Sequence, residues 1–275
     1  MYTSGAMLLI SVYLNSLKRS RIYDAPRAEY HTLKGSIKLE NIYFSYGEQA
    51  VLDNVNIDIK QGQYIGICGK IGSGKSIIVR LILRIIEPRK GRIFYDSIDY
   101  RKIKIAAVRD SIGYVPQDSF LFSDTIEDNV RFGKPDATLE EIVEACNVAS
   151  IDKNIMELKY RYKTLVGEKG VTLSGGQKQR LCIARAIIRR PQILILDDAL
   201  SAVDTNTEKE IIRNLGNYSK GITTIVISHR ISSFIKADNI FVLDRGRVES
   251  SGTHRELIKK SDIYKSIYKI QKLEE

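Results

Sequence analysis

The segment Gly69–Ser76, with the sequence GKIGSGKS, constrains the fold of this chain more than any other stretch. It matches the pattern G-x-x-x-x-G-K-[ST] in full, and it lies between an apolar strand pattern (residues 64–68) and a helical pattern (residues 77–86). Glycines let backbone N–H groups wrap around phosphate oxygens, and the positive end of the following helix adds to the attraction. We therefore predict a nucleoside triphosphate site here and not a chance glycine-rich turn.

The residues of this phosphate-binding loop have separate expected roles. Lys75 can place its ammonium group between the β- and γ-phosphates, and the Ser76 hydroxyl can coordinate Mg²⁺. The other candidate nucleotide ligands in the loop are Gly69, Lys70, Ile71, Gly72, Ser73 and Gly74. ATP and Mg²⁺ are the cofactors that this set predicts.

The order of strand and helix patterns indicates an α/β fold. Two segments before the loop, 36–46 and 51–60, alternate apolar and polar residues and predict an antiparallel β subdomain. A helical pattern from about residue 120 to 172 predicts an α-helical insertion. Short, continuously apolar strands separated by helices form a parallel sheet covered on both faces. Such strands are predicted at residues 112–115, 193–196, 223–228 and 239–244.

Composition bounds the possible partners without choosing among them. The formal net charge of +10 suits nucleic acid, anionic lipid or a polyphosphate ligand, and also an ordinary lysine-rich surface. Cys68, Cys146 and Cys182 are far apart and lack metal-ligand spacing, so we expect buried thiols in a reducing compartment. The apolar segment 6–14 is shorter than the roughly 20 residues that span a bilayer, and no signal-peptide pattern surrounds it. We expect a soluble or peripheral chain.

Residues 1–35 differ from the rest of the chain. An apolar piece is followed by the basic stretch LKRSRIYDAPR (residues 17–27), with no phosphate or metal chemistry. This segment is interpreted either as an amphipathic N-terminal helix or as the end of a longer preceding segment. The predicted division is a linker at 1–35 and a nucleotide-binding domain at 36–275.

Two adjacent aspartates, Asp197 and Asp198, end the apolar strand pattern ILIL. A charge at the end of a buried strand needs a reason, because each carboxylate resists desolvation. A phosphate-binding loop requires an acid at the end of another buried strand to hold the water shell of the metal, and Asp197 occupies that place. The role of Asp198 does not follow from this argument.

A second anion-binding pattern, LSGGQ, begins at Leu173 and precedes a helical run. Serine and two glycines at a helix start expose N–H groups that suit an anion, although the segment alone could equally be only an N-cap. With the phosphate loop and Asp197, the ordered set resembles the nucleotide-binding domain of ATP-binding cassette (ABC) transporters, most closely the exporter type. The resemblance covers about Ser36 to the C-terminus and implies an ATPase with a P-loop NTPase (RecA-like) core.

The resemblance assigns roles to further residues. Gln117 matches the glutamine that senses Mg²⁺ and the reacting water, and His229 matches the switch histidine that contacts the γ-phosphate. Tyr46 matches the aromatic side chain that stacks on adenine. Asp204 matches the D-loop, which crosses to the opposite subunit. The signature residues that would close over the nucleotide of that subunit are Ser174, Gly175, Gly176 and Gln177.

Two segments favour the exporter type. Residues 120–133 resemble the exporter segment that follows the glutamine, and TLVGEKG (164–170) resembles the loop that touches the coupling helices of a membrane domain. Leu165 stands where glutamate is frequent, so we expect that contact to be altered. Residues 16–25 resemble the stretch that joins the last membrane helix to the nucleotide domain. We therefore expect residues 1 to about 30 to be a transmembrane-domain remnant that packs poorly without that domain.

Asp198 is the departure with the largest expected consequence. Members of the family that hydrolyse ATP rapidly have glutamate there, which polarises the attacking water as general base. The shorter aspartate withdraws the carboxylate by roughly 1–1.5 Å, and a misplacement of about 1 Å can cost on the order of 10²-fold in rate. We predict that the chain binds ATP and hydrolyses it slowly.

The resemblance also implies partners. Asp198 beside an intact LSGGQ resembles the degenerate half of a heterodimeric multidrug- or lipid-type exporter. The expected partners are a second nucleotide-binding domain that carries glutamate and a transmembrane domain, with no nucleic acid. The expected location is the cytoplasm, at the inner face of the cell membrane. The alternatives are an importer ATPase encoded apart from its membrane subunit, which the exporter-like segments disfavour, and a soluble ABC ATPase without a transport role.

Overall fold

The computed structural model describes residues 22–167, 170–218 and 221–274. Within these residues, ten strands form two sheets, and helices cover them. The predicted α/β class, with an antiparallel β subdomain and a helical insertion, is confirmed. Among the residues described, none of the helices is both long and apolar enough to cross a bilayer.

The first sheet is antiparallel and has the strand order β2-β1-β4-β5. Strand β1 pairs with β2 along most of its length, as the alternation of buried and exposed residues in both strands predicts. The strands are β1 (Ile37–Tyr46), β2 (Gln49–Ile59), β4 (Lys90–Tyr95) and β5 (Ile98–Asp99).

The second sheet has the order β10-β9-β3-β8-β7-β6, and its first strand is antiparallel to the rest. Strands β3, β7 and β8 lie in its centre and are buried along nearly their whole length, which explains their continuously apolar sequences. The strands are β3 (Tyr64–Gly69), β6 (Ile112–Val115), β7 (Ile193–Asp197), β8 (Thr223–Ile227), β9 (Asn239–Asp244) and β10 (Arg247–Gly252).

The helices connect and cover these strands. Three short helices, α3 to α5, lie between β6 and β7 and form the inserted helical part. The helices are α1 (Lys75–Ile82), α2 (Ile105–Asp110), α3 (Ile126–Arg131), α4 (Leu139–Val148), α5 (Asp152–Met156), α6 (Gly175–Ile187), α7 (Thr205–Tyr218), α8 (His254–Lys260) and α9 (Asp262–Glu274).

Two apolar cores lie on opposite faces of the second sheet. One is built from the first sheet, α1 and side chains such as Ile195 and Ile225. The other packs α6, α7 and the helical insertion against side chains such as Leu194 and Leu196 of β7, the strand that also contains Ile195. Because successive side chains of β7 point to opposite faces, this strand stabilises both cores and holds the residues that follow it in a fixed place.

The helical insertion is held to α6 through Arg185. Its guanidinium donates to the Asn129 backbone carbonyl (2.7 Å), to Asn129 Oδ1 (2.7 Å) and to the Phe120 carbonyl (2.9 Å). The Asn129 side chain in turn bonds both the N–H and the carbonyl of Phe122. Burial lowers the pKa of Arg185, and its partners are backbone and amide oxygens. Arg185 of α6 and Asn129 of α3 therefore together fix the segment that leads from β6 into the insertion.

Part of the N-terminal segment lies within the described residues. Glu29 bonds to the backbone of Lys102 and Lys104, the Ile105 N–H donates to Asp24 (2.7 Å), and Leu33 is buried in the core. The apolar piece 6–14 and residues 17–21 of the basic stretch lie outside the described residues. The division at residue 35 and the origin of the segment in a membrane domain stay predictions.

Removal of a side chain from β7 should destabilise the whole domain. We expect Ile195→Ala to lower the free energy of unfolding by about 2–5 kcal/mol, because Ile195 is fully buried and its loss leaves a cavity. Urea denaturation of the two proteins measures the difference. The matched change Leu139→Ala, at an exposed position on α4, should stay within about 0.5 kcal/mol. Equal effects at the two positions would contradict the central place of β7.

Candidate nucleotide site

The carboxyl ends of three neighbouring strands meet at one edge of the second sheet. The phosphate-binding loop follows β3, the two aspartates end β7, and His229 follows β8. In open parallel sheets, ligands bind at this edge. A cleft of about 330 Å³ lies there, and it is lined by Val51, Ile71, Gly72, Ser73, Gly74, Lys75, Ser76, Ile77, Gln117, Asp197, Asp198, Ile227 and His229.

Two glycines of the phosphate-binding loop allow its close approach to neighbouring strands. Gly69 has φ 146°, and a Cβ there would lie 2.1 Å from the Leu243 carbonyl oxygen. Gly74 has φ 103°, and a Cβ there would lie 2.5 Å from Leu52 Cδ2. Both positions therefore need glycine for their conformation and for space. The loop runs directly into α1, so its backbone N–H groups and the helix start face the same cleft.

Lys75 is buried at the base of the loop. Its Nζ donates to the carbonyls of Gly69 (2.7 Å) and Lys70 (3.0 Å). Burial lowers the pKa of Lys75, and the nearby carboxylates of Asp198 and Asp197 oppose that shift. Removal of a lysine from water favours its contact with an anion. The ammonium group is therefore positioned to exchange its bonds to the loop carbonyls for bonds to phosphate oxygens.

Asp197 is buried at the end of β7, with an exposed fraction of 7%. Its Oδ2 accepts a weak hydrogen bond from the Tyr114 hydroxyl (3.4 Å). Burial raises the pKa of Asp197, and the adjacent carboxylate of Asp198 raises it further. A divalent cation would relieve both effects, because it compensates the two negative charges at once.

The oxygen atoms around this carboxylate suit Mg²⁺. The Ser76 hydroxyl at the start of α1, the Asp197 carboxylate and the exposed Gln117 side chain all line the cleft. Among the residues described, no group of three or more His, Cys, Asp or Glu side chains is arranged to hold a metal. Mg²⁺ commonly binds one or two protein oxygens plus phosphates and waters, so this donor set fits it.

The side chains of Asp198 and His229 lie beside each other in the wall of the cleft. The distance from Asp198 Oδ2 to His229 Nε2 is 3.5 Å, and the backbone N–H of His229 donates to Asp198 Oδ1 (3.3 Å). The Asp198 side chain is 11% exposed and that of His229 is 47% exposed. The backbone of Asp198 is left-handed (φ 49°), a conformation that aspartate adopts more readily than most residues. Both side chains are thus within reach of a group bound in the cleft.

The structure separates Tyr46 from these residues. Its side chain is half exposed at the end of β1, packs edge-on against Phe44, and accepts a hydrogen bond from Arg80 (3.2 Å). Tyr46 is not among the residues that line the cleft, whereas Val51 of β2 is. Val51 gave no signal in the sequence, because its strand pattern accounts for it fully.

The signature residues also lie apart from the cleft. Ser174 caps α6: its hydroxyl accepts from the Gln177 N–H (3.2 Å), and Gln177 Oε1 accepts from the Ser174 N–H (2.9 Å). A Cβ on Gly175 would lie 3.3 Å from the Ala202 Cβ, and one on Gly176 would lie 2.7 Å from the Ala202 carbonyl oxygen. None of these four described signature residues lines the cleft.

Asp204 lies at the start of α7 and is exposed. Its Oδ1 accepts from the N–H groups of Thr207 (3.0 Å) and Asn206 (3.2 Å), and these bonds lower the pKa of Asp204. The sequence resemblance assigned Asp204 a contact with another subunit, and the structure adds a local role as a helix cap.

Two side chains that no sequence pattern indicates hold the segment Leu200–Val203. From α6, Gln179 donates to Ser201 Oγ (3.0 Å) and accepts from the Ala202 N–H (3.0 Å). From the other side, Arg230 donates to the carbonyls of Val203 (2.8 Å) and Ser201 (2.9 Å). Arg230 also pairs at 3.0 Å with the fully buried carboxylate of Glu208. Arg230, which follows His229, is therefore bonded to the segment that precedes Asp204.

Replacement of the buried acid Asp197 should stabilise the folded chain and remove the Mg²⁺ dependence of ATP binding. In the folded chain the pKa of Asp197 is raised, so its ionised form opposes folding at neutral pH and stability falls as pH rises through that pKa. We expect Asp197→Asn to raise the free energy of unfolding at pH 7, to flatten this part of the pH dependence, and to abolish the Mg²⁺ dependence of ATP binding. Denaturation at several pH values and ATP titrations with and without Mg²⁺ measure both. A less stable variant that keeps the Mg²⁺ dependence would contradict this assignment.

Comparison with known proteins finds one matching family model and many similar proteins. The family model described as "ABC transporter" matches residues 52–201. "Heavy metal tolerance factor 1" of Caenorhabditis elegans is 42% identical over 252 residues, which are 91% of this chain and 32% of that protein. "Multidrug resistance-like ATP-binding protein MdlA" of Buchnera aphidicola is 44% identical over 242 residues, which are 88% of this chain and 42% of that protein.

A solved structure, of a bacterial Atm1-family ABC exporter with ATP bound, superimposes with a TM-score of 0.88 at 35% sequence identity. The match covers 96% of this chain and 47% of that one. The chain thus spans less than half the length of the relatives named here.

Proposed function

The chain belongs to the ABC transporter family, and we propose that it is the ATP-binding domain that powers export of a substrate across a membrane. The observation that carries this proposal is the separation of the phosphate-binding cleft from the LSGGQ segment. One cleft gathers the phosphate-binding loop, Asp197, Asp198 and His229, while the signature start of α6 lies outside it. The names of the relatives, which include multidrug and exporter proteins, support the export role over the importer and non-transport alternatives.

In the cleft, each residue has a role that follows from its position. The N–H groups of the loop and Lys75 would hold the phosphates, and His229 would contact the terminal phosphate from the end of β8. Mg²⁺, held by Ser76, Asp197 and Gln117, would neutralise phosphate charge. Tyr46, at the end of β1, is proposed to stack on adenine when nucleotide is bound. Asp198 would accept the hydrogen bond of the attacking water.

A second nucleotide-binding domain would complete each site. Gly175 and Gly176, which follow Ser174 at the start of α6, do not line the cleft of their own chain. We propose that their N–H groups serve a nucleotide held elsewhere. We place that nucleotide on a partner domain, with Asp204 at the contact between the two. Binding of ATP would then close the pair, because the same phosphates are bound from both sides.

A membrane domain is the second proposed partner. Three phenylalanines before and within the helical insertion are exposed: Phe122 packs against both Phe120 and Phe132. Leu165, which precedes the LSGGQ segment in the sequence, is 54% exposed. Clustered exposed aromatic side chains are unusual on a free surface and typical of a contact. We propose that this patch meets the coupling helices of a transmembrane domain, at the inner face of the cell membrane. Glu168 and Lys169 of the predicted contact loop lie outside the described residues.

The first test concerns the slow site. We expect Asp198→Glu to raise the rate of ATP hydrolysis at saturation by about 10–100-fold and to change ATP affinity by less than about threefold, because the added methylene moves the carboxylate by about 1 Å towards the phosphate. Steady-state kinetics measure both quantities. Lys75→Ala in the same background should remove nucleotide binding. Fast hydrolysis by the unmodified chain, with no gain in Asp198→Glu, would show that aspartate is a sufficient base here.

The second test concerns the partner. Mixing this chain with a homologous domain that carries glutamate at the position of Asp198 should restore rapid turnover. Ser174→Ala in this chain should then lower that turnover by on the order of 10²-fold, since a donor to the partner's nucleotide is lost. Thr138→Ala is the matched control, because Thr138 caps α4 with the same reciprocal pair of bonds. If both cap variants reduce turnover equally, the effect comes from helix stability and the heterodimer proposal fails.

A further inference from the structure

The C-terminal helix α9 contacts the loop that carries His229. The side-chain carboxamide of Gln271 donates through Nε2 to the His229 carbonyl, and its Oε1 accepts from the Ile231 N–H (2.8 Å). These two backbone groups lie on either side of Arg230. One side chain thus holds both ends of a three-residue loop, and it does so from an element that follows the loop by 40 residues.

The chemistry of these bonds requires an amide side chain. A carboxamide carries a donor and an acceptor on the same carbon atom, whereas a carboxylate only accepts and an ammonium group only donates. Gln271 is half-buried, so each of its bonds replaces a bond to water, and loss of one partner leaves the other group less well satisfied.

Helix α9 is itself firmly anchored. Tyr264 is fully buried, its hydroxyl lies 2.8 Å from His254 Nδ1, and Ile267 packs against the core on the same side of the helix as Gln271. The helix therefore presents the carboxamide from a fixed position. The Gln271 side chain also lines a second cleft, of about 470 Å³, beside Lys70 and His229, so it lies next to the phosphate-binding loop.

The His229 ring needs such support, because little else surrounds it. Its side chain is 47% exposed, and its contact with Asp198 joins two groups at 3.5 Å, longer than a good hydrogen bond. The position of the ring therefore depends on the position of its backbone. That backbone is held at its N–H by Asp198 and at its carbonyl by Gln271.

We propose that Gln271 is a positioning residue for the switch histidine: it fixes the backbone on both sides of Arg230 so that the His229 ring stays over the cleft. This inference rests on the proposed function, since it assigns His229 to the terminal phosphate. Gln271 is not among the described residues that line the cleft of the phosphate-binding loop and Asp197. Its loss should affect the step that depends on the terminal phosphate and spare the binding of the rest of the nucleotide.

The test uses Gln271→Met, which keeps the length and packing of the side chain and removes both bonds, in the Asp198→Glu background where turnover is measurable. We expect the turnover number to fall about tenfold, since displacement of a catalytic group by a fraction of an ångström to 1 Å has effects of this order or larger. The affinity for ADP should stay within about twofold of the parent, because ADP lacks the terminal phosphate. Lys269→Met, on the exposed face of the same helix, should change neither quantity.

A second variant separates the two bonds. Gln271→Glu keeps an acceptor for the Ile231 N–H and loses the donor to the His229 carbonyl. Hydrogen exchange of the Ile231 amide should therefore stay slow in Gln271→Glu and become fast in Gln271→Met, while turnover falls in both. Fast exchange with unchanged turnover in Gln271→Met would overturn the proposal. Equal weakening of ATP and ADP binding in both variants would overturn it too, because a general loss of structure predicts that result.

Failure of the proposed function would be visible separately. If neither the unmodified chain nor Asp198→Glu binds ATP, the assignment of the cleft fails, and the placement of His229 is then judged by the NMR resonances of its imidazole ring. A shift of those resonances in Gln271→Met, absent in Lys269→Met, would still support the positioning role. Unchanged resonances would overturn it.

Discussion

The site depends on one buried ammonium group at the junction of three strands. Lys75 is taken out of water by the phosphate-binding loop and lies among loop carbonyls and near two carboxylates. Such a group is tolerated only when oxygen atoms compensate its charge from several directions. The loop must therefore approach its neighbours closely, which Gly69 and Gly74 permit, and β7 must end in Asp197 and Asp198 at the same edge. The rest of the fold holds these elements in place.

The parts of the structure that local pattern determines could be predicted from the sequence. The loop, the buried strands and the acid at the end of β7 each have a residue pattern that physical chemistry makes specific. The cleft indeed gathers Lys75, Gln117, Asp197, Asp198 and His229, which lie far apart in the chain. The separation of the signature from its own cleft could be expected only through the family resemblance, because no spacing rule gives the direction in which a helix start points.

Contacts between a side chain and the backbone of a distant segment could not be predicted. Gln179, Arg230 and Gln271 are ordinary polar residues in their helices and loops, and a solvated surface would explain each of them equally well. Their partners are backbone carbonyls and N–H groups, which every residue possesses, so the sequence contains no complementary residue to search for. Only the tertiary structure shows that these side chains connect α6, the segment Leu200–Val203 and the loop that carries His229. Val51 also lines the cleft, and it could not be predicted because its strand pattern accounts for it fully.

The reciprocal cap at the start of α6 has a kinetic consequence for the proposed pairing of two nucleotide-binding domains. Ser174 and Gln177 satisfy each other's backbone N–H groups within a single chain, so the helix begins at the same residue before any partner arrives. The two glycines that follow lie close to Ala202, where a side chain on Gly176 would not fit. In the proposed pair, the backbone at this helix start is thus ordered before the domains meet, which reduces the ordering entropy that the encounter would cost. The speed of closure should therefore be governed by collision geometry and charge, with no folding step at the interface.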